Sequence, residues 1–317
     1  MLLAGIDEAG YGPTLGPLCH GLCVLRLKEA PPEPDLWALL AGVVSRHPAP
    51  DGQLCVDDSK KVYASGDGLQ GLAHPVAAFL NAAGHEARAH LPLKTLLPAV
   101  ELAELESDPW GANGHESANG IALSELPGAQ RLVEALTKHA LEVCELRGGA
   151  LSARKFNAHL NACGNKADVS WARVEHLLRE AFALAQPGEA VFALVDRQGG
   201  RKFYAPKLHA LFGDALLSVE CETNLDSTYR VEFEGRKIRV AFRQKAESAC
   251  LAVALASMCA KLVRELSMAR LNAYFLAHEA KLKPTAGYPQ DALRFLKDTQ
   301  TLRAKLKIAD PAFVRAK

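Results

Sequence analysis

Four acidic side chains stand where apolar segments end. Asp7 and Glu8 close the apolar run of residues 2–6 and lead into the turn Gly10-Tyr11-Gly12-Pro13. Asp196 ends a second apolar run, residues 190–195, and Glu247 stands at the mouth of a long apolar stretch that begins near residue 251. Carboxylates in apolar surroundings are costly unless something cationic compensates them. Acids at strand ends from distant parts of a chain can converge on one rim of a sheet. Four of them with no histidine or cysteine partner suit two Mg²⁺ ions and phosphoryl chemistry, because hard divalent cations take oxygen ligands. They do not suit a Ser-His-Asp relay. Plainer readings stay open at this point. Asp7 and Glu8 could be a polar strand end facing solvent, and Glu247 could simply stabilise a helix N-terminus.

The elements that must position these acids can be read in outline. Neighbouring strand residues point to opposite faces, so Asp7 and Glu8 can share a site only if the strand ends or bulges beside them. Residues 18–27 are a second strand, expected to pair with the first as a hairpin. Asp35 can cap a helix over 36–45. Residues 54–56 are extended and enter Asp57-Asp58-Ser59-Lys60-Lys61. Residues 68–83 carry the helical stripe Leu69, Leu72, Val76, Phe79 and Leu80, interrupted by Pro75. Helices are expected over 93–105 and 130–146, a strand over 151–156 and a helix over 169–185. Residues 190–196 read as a strand and 203–211 as a helix. Strands follow at 217–221, 229–233 and 238–242, with Glu234-Gly235 as a turn. The small apolar residues of 251–271 give a helix that is buried at its start. Residues 291–305 form a last helix.

Bulk properties limit the function classes. The 317 residues are 49% hydrophobic and 23% charged, the balance of a globular protein. Lys plus Arg is 37 and Asp plus Glu is 36, so there is no global basic field, and a nucleic-acid partner would need a local one. The eight cysteines show no zinc-like spacing, which suggests free thiols in a reducing cytoplasm. No apolar run reaches the ~20 residues of a membrane span, and no signal-peptide layout is present.

The opening GIDEAGYGPTLGPL resembles the signature of the type 2 ribonucleases H, ribonuclease HII and ribonuclease HIII. Five further segments match in order: Asp58-Ser59-Lys60-Lys61, Ala193-Leu194-Val195-Asp196, Lys245-Ala246-Glu247-Ser248, Ala256-Ser257-Met258-Cys259-Ala260-Lys261 and Gly287-Tyr288-Pro289. The resemblance implies an α/β ribonuclease H-like fold: a mixed central sheet flanked by helices, a helical C-terminal part from about residue 266, and an insertion at about 85–128, all in one domain. It implies a metal-dependent endonuclease that hydrolyses the RNA strand of RNA–DNA hybrids, or of RNA-containing duplex DNA, as a cytoplasmic monomer without membrane contact. Asp7, Glu8, Asp196 and Glu247 would be the catalytic ligands of two Mg²⁺ or Mn²⁺ ions. The backbone of Gly10, Tyr11 and Gly12 would sense the ribose 2′-hydroxyl, Tyr288 would stack on a sugar, and Ser59, Lys60 and Lys245 would complete the substrate contacts.

The chain also departs from the pattern. Tyr11 stands where ribonuclease HII has arginine, and Glu247 stands where it usually has aspartate. The glutamate resembles ribonuclease HIII, and Arg264-Glu265 replaces Arg-Asp. A divergent member is implied, one that prefers runs of ribonucleotides to single ones. A nuclease of the same fold acting on another structured nucleic acid, or a non-catalytic nucleic-acid-binding relative, are the alternatives. Residues 85–128 match none of the six segments and are expected to be an acidic appendage outside the core. Within them His115 and Glu116 could be metal ligands, although exposed loop polarity accounts for them as simply.

Overall fold

The computed structural model describes residues 1–28, 31, 33–49, 51–87, 89–112, 120–123, 128–198 and 201–316. Seven strands form the central sheet: β1 (Leu2–Ala9), β2 (Leu18–Leu27), β3 (Leu141–Leu151), β4 (Val191–Asp196), β5 (Leu216–Glu222), β6 (Asp226–Phe233) and β7 (Arg236–Arg243). Their order is β3-β2-β1-β4-β7-β6-β5. β1 pairs antiparallel with β2, whereas β1, β4 and β7 run parallel side by side. Because those three are parallel, their C-terminal ends share one rim. That rim of an α/β sheet is where ligands usually bind. Ile6 pairs with Val195 and Arg243 with Asp196, so Asp7 and Asp196 reach the rim together.

Alternation along β1 sorts its residues between two cores. Leu3 joins one core, with α1 (Leu69–Ala82) and the long helix α2 (Leu251–His278). Leu2, Ala4 and Ile6 join the other, beneath the helix Lys166–Ala183, with its Trp171, Val174, Leu178 and Phe182. The expected mixed sheet flanked by helices is therefore what the chain forms. A third apolar cluster, with Leu15, Met268, Phe275, Phe295 and Phe313, seats the C-terminal helices. From the last turns of α2, which runs unbroken to His278, the chain continues in helices, Pro289–Asp298, Gln300–Lys305 and Asp310–Phe313.

Several local expectations are corrected. Asp35 does cap a helix, accepting from the Trp37 and Ala38 amides, but the helix stops at Leu39 and Val44–Ser45 is a strand. The helix expected over 93–105 is two, Leu93–Leu96 and Ala99–Glu106, with Leu97 and Pro98 extended between them. The helix expected over 130–146 ends at Lys138. Ala140 turns through φ 47° and the chain enters β3. Residues 151–156 are not a strand, because Ser152 caps the helix Ala153–Cys163. The last helix is broken at Thr299 into Pro289–Asp298 and Gln300–Lys305.

Described residues of the segment 85–128 are packed into the core, which an appendage would not be. Leu91, Leu93, Leu96, Leu105 and Ile121 are buried in the main core. Glu101 accepts the Ala150 amide of β3 at 2.6 Å and is ion-paired with Arg173. The acids that made this stretch look like a surface module are in part its anchors to the sheet. His115 and Glu116 lie outside the described residues.

Candidate functional site

The rim of β1 and β4 opens into a cleft of about 300 Å³, and all four expected acids line it: Asp7, Glu8, Asp196 and Glu247. Each arrives by a different local route. Asp7 and Glu8 are the last residues of β1 before Ala9, where the strand ends. Their side chains leave opposite faces of the sheet, Asp7 toward Ser257 of α2 and Glu8 toward Ser170 of the helix Lys166–Ala183. They share the cleft because the strand ends beside them. Asp196 is the last residue of β4 and accepts the Ala246 amide at 3.0 Å. Lys245 takes a left-handed turn, φ 57°, that leads into the single 3₁₀ turn Ala246–Ser248 carrying Glu247.

The cleft gathers buried acids that its cations compensate only in part, Lys60 acting on Asp196 and Glu247 and Lys166 on Glu8. Burial pushes the Asp7 carboxyl well above the usual range, and neighbouring Asp196 and Glu247 push it further, against a hydrogen bond from Ser257. Glu8 is raised by burial and by Asp196, against Ser170, whose hydroxyl donates to it at 2.6 Å. Burial raises Asp196 in spite of the Ala246 and Arg197 amides, and burial with Asp196 raises Glu247. Among the described residues no three acidic, histidine or cysteine side chains are drawn into one ligand group. The acids face a common space without forming a ready coordination shell.

The remaining expected residues divide. Gly10, Tyr11, Gly12, Ser59, Lys60 and Tyr288 line the cleft. Gly10 has φ +85°, and a Cβ there would meet Arg264 Nε at 2.8 Å, so the turn needs glycine at this position. Ser59 begins the helix Ser59–Ala64, which Asp58 caps, and its hydroxyl lies 3.0 Å from that of Ser257. Tyr288 is 52% exposed, with its ring 5.5 Å from the Arg264 guanidinium. Lys245 is not among the lining residues; its side chain is exposed, and its backbone turn is what serves the site.

Other lining and supporting residues were not anticipated as site residues. Ser257, Lys261 and Arg264 of α2 line the cleft at spacings of four and three residues, one face of the helix. That polar stripe on an apolar helix was a readable signal. Ser170 was not readable: it bonds Glu8, receives the Gln198 amide at 2.6 Å and lies 3.4 Å from His20 Nε2. His20 is fully buried and its pKa is lowered to about 3 by that burial, so the ring is neutral. Lys166 Nζ sits 4.4 Å above the Tyr11 ring and brings a cation to the turn.

No family model matches the chain, and no curated protein matches it. Solved structures do. A chain of the PCNA:RNase HII complex from Archaeoglobus fulgidus is 13% identical, with a TM-score of 0.43, over 100% of this chain and 95% of that one. The ribonuclease H2 of Pyrococcus horikoshii OT3 is 13% identical at TM-score 0.43, over 99% and 92%. The Bst-RNase HIII structure in complex with Mn²⁺ is 14% identical at TM-score 0.40, over 99% of this chain and 66% of that one. All three are type 2 ribonuclease H structures, similar to this chain and remote from it in sequence.

Proposed function

We propose that the cleft is the active site of a type 2 ribonuclease H, an endonuclease that hydrolyses the RNA strand of RNA–DNA hybrids with Mg²⁺ or Mn²⁺. One observation carries the reading: acids from positions 7, 8, 196 and 247 line a single cleft together with a glycine-bearing turn and the cations Lys60, Lys261 and Arg264. The donor set fits hard divalent cations, being all carboxylate and charge-frustrated. Asp7, Glu8, Asp196 and Glu247 would hold the ions, which when bound make a water a better nucleophile and stabilise the departing oxygen.

The chain's own groups supply the rest. Lys60, Lys261 and Arg264 offer charge-assisted hydrogen bonds to the phosphates. The Gly10-Tyr11-Gly12 backbone offers close approach to a ribose, where a 2′-hydroxyl can be told from its absence. The exposed Tyr288 ring offers a stacking face for a sugar.

Labelled duplexes with one, four or all ribonucleotides in one strand test the reading. The expected result is metal-dependent cutting of the ribonucleotide strand, faster for the run of four than for the single one, and none of all-DNA duplex. A folded, metal-supplied protein that leaves every ribonucleotide duplex intact would refute it. Faster cutting at an isolated ribonucleotide would refute the length preference alone.

A further inference from the structure

The turn at residues 10–14 has no regular secondary structure of its own, yet two distant segments hold it. Gly287 O accepts the Thr14 and Leu15 amides at 2.8 and 3.1 Å. From the other side, Arg315 Nη2 donates to Gly10 O at 2.6 Å, across 305 positions of sequence, and the same nitrogen donates to Pro13 O. The Arg315 amide donates to Thr14 O at 2.9 Å, and Val314 makes a bridge with Leu15. Arg315 is 3% exposed, with its guanidinium 5.2 Å from the Phe156 ring. Asn157 fixes the segment from outside, donating to Val314 O at 2.8 Å and accepting the Ala316 amide at 2.7 Å.

A buried guanidinium spent on two turn carbonyls is an unusual use of charge. Burial, more than any neighbour, lowers its pKa to about 10, and it stays protonated at neutral pH. Both carbonyls take their hydrogen bond from this one nitrogen, and a glycine turn without it would sample many conformations. We propose that Arg315 is a positioning residue that latches the Gly10–Pro13 backbone in the shape presented to the substrate ribose. The latch rests on the proposed ribonuclease reading for its purpose, but not for its existence.

Hydrogen–deuterium exchange and kinetics on the full chain test the two halves separately. In Arg315→Met the Thr14, Leu15 and Arg315 amides should exchange at least about tenfold faster, while β4 amides stay unchanged. Arg315→Lys should recover part of that protection. Asn157→Ala, which loosens the segment without touching Arg315, should give the same pattern more weakly and serves if Arg315→Met does not fold. On an RNA–DNA hybrid, kcat/KM should fall about tenfold or more, with the Mg²⁺ concentration for half-maximal activity unchanged. Unaltered exchange at Thr14 and Leu15, or exchange raised equally across the sheet, would overturn the latch. A loosened turn with unchanged kcat/KM would overturn its role in positioning. If the wild-type chain cuts no ribonucleotide duplex, the proposed function fails, and the exchange data still decide whether the latch exists.

Discussion

The two ends of β1 carry the same residue types in opposite electrostatic states. At its start, Glu189 is held by Arg26 at 3.1 Å and by the Met1 amine at 3.6 Å, and Arg26 also meets Glu142 at 2.9 Å. Farther across the sheet, Glu220 of β5 takes Arg230 of β6 at 2.6 Å and Arg239 of β7 at 2.7 Å. Burial would raise Glu189 and Glu220, but the Gln186 amide and these arginines hold both below the usual range. At its far end all four carboxylates are raised. The fold pairs Glu189 and Glu220 at one end of the sheet and buries Asp7, Glu8, Asp196 and Glu247 beside one another at the other. There burial raises all four and like charge raises Asp7, Glu8 and Glu247 further, a cost that a bound cation would offset. Such sites are stable enough to persist and gain stability when a cation arrives.

The largest effect should come from removing one of the repelling acids. Asp7→Asn should lower hydrolysis by on the order of 10³-fold or more, as loss of an essential group does. The same change should raise the metal-free melting temperature by about 1–2 °C, roughly what 1 kcal/mol is worth in a chain of this length. Mg²⁺ at 100 times its dissociation constant should stabilise the wild type by about 2.7 kcal/mol and the variant far less. Calorimetric scans with and without metal check both; an Asp7→Asn variant that melts lower than the wild type without metal would break the comparison.

The pH dependence follows from the same shifts. A carboxyl raised in the folded state binds its proton more tightly there than in the unfolded chain. The contribution of these four carboxyls to metal-free stability should therefore be fully present below the unfolded value of about 4 and decline as pH rises through the raised values. His20 has the opposite slope, since its lowered pKa costs stability as pH falls below about 6.5. Activity should run the other way, rising with pH as protons cease to compete for the ligands. The His20 contribution cancels in the difference in metal-free denaturation midpoint between Asp7→Asn and the wild type. From about pH 5 to 8 that difference should grow with pH while the wild-type rate rises; a difference that shrinks with pH would contradict the reading.

Ser170→Ala should have a middling effect. It removes the 2.6 Å hydrogen bond to Glu8 and leaves the Gln198 amide without its acceptor. About 10–100-fold in metal affinity or rate is expected, the usual scale for a group that orients a ligand, with Ser170→Thr recovering part. The smallest effect belongs to the paired end. Arg230→Ala breaks an exposed ion pair worth about 0.2–1 kcal/mol and should leave kinetics untouched. A rate change there would mean the two ends are coupled.

What was legible in the sequence follows the range of the interactions. β2 runs over residues 18–27 as expected, because a long apolar run has only a buried strand to form here. The strands around Glu234-Gly235 were legible for a local reason, a turn with positive φ at both positions. The start of β3 reads as a helix in sequence because Leu132, Val133, Leu136, Ala140 and Leu141 form one helical pattern. The β2 edge claims Leu141–Leu151 instead, and pairing of that kind leaves no mark in a local window. The acids at the cleft could be picked out from their positions at element ends and from the order of the motifs. Ser170, Gln198 and Arg315 could not, since each matters only through a partner far away in the chain. Lys245 carries an exposed basic side chain outside the lining of the cleft. Its left-handed backbone, φ 57°, leads into the turn that carries Glu247, a feature that leaves no mark in the sequence.

Gly5 and Gly21 lie against α2 so closely that a Cβ on either would fall 2.3 Å from Ala252 C or 1.9 Å from Ala256 O. The helix therefore rests directly on the sheet, backbone to backbone, with no side chain to cushion a shift. Its pitch becomes the measuring rule of the cleft: Ser257, Lys261 and Arg264 follow at steps of about 6 and 4.5 Å along the axis. One residue added after Ala256 would rotate all three by about 100° away from the acids, and with them the buried Met258, Cys259, Leu262 and Val263 that follow in the same helix. Along this helix, substitutions on the apolar faces change how well the site is built, whereas a change of length decides whether it exists.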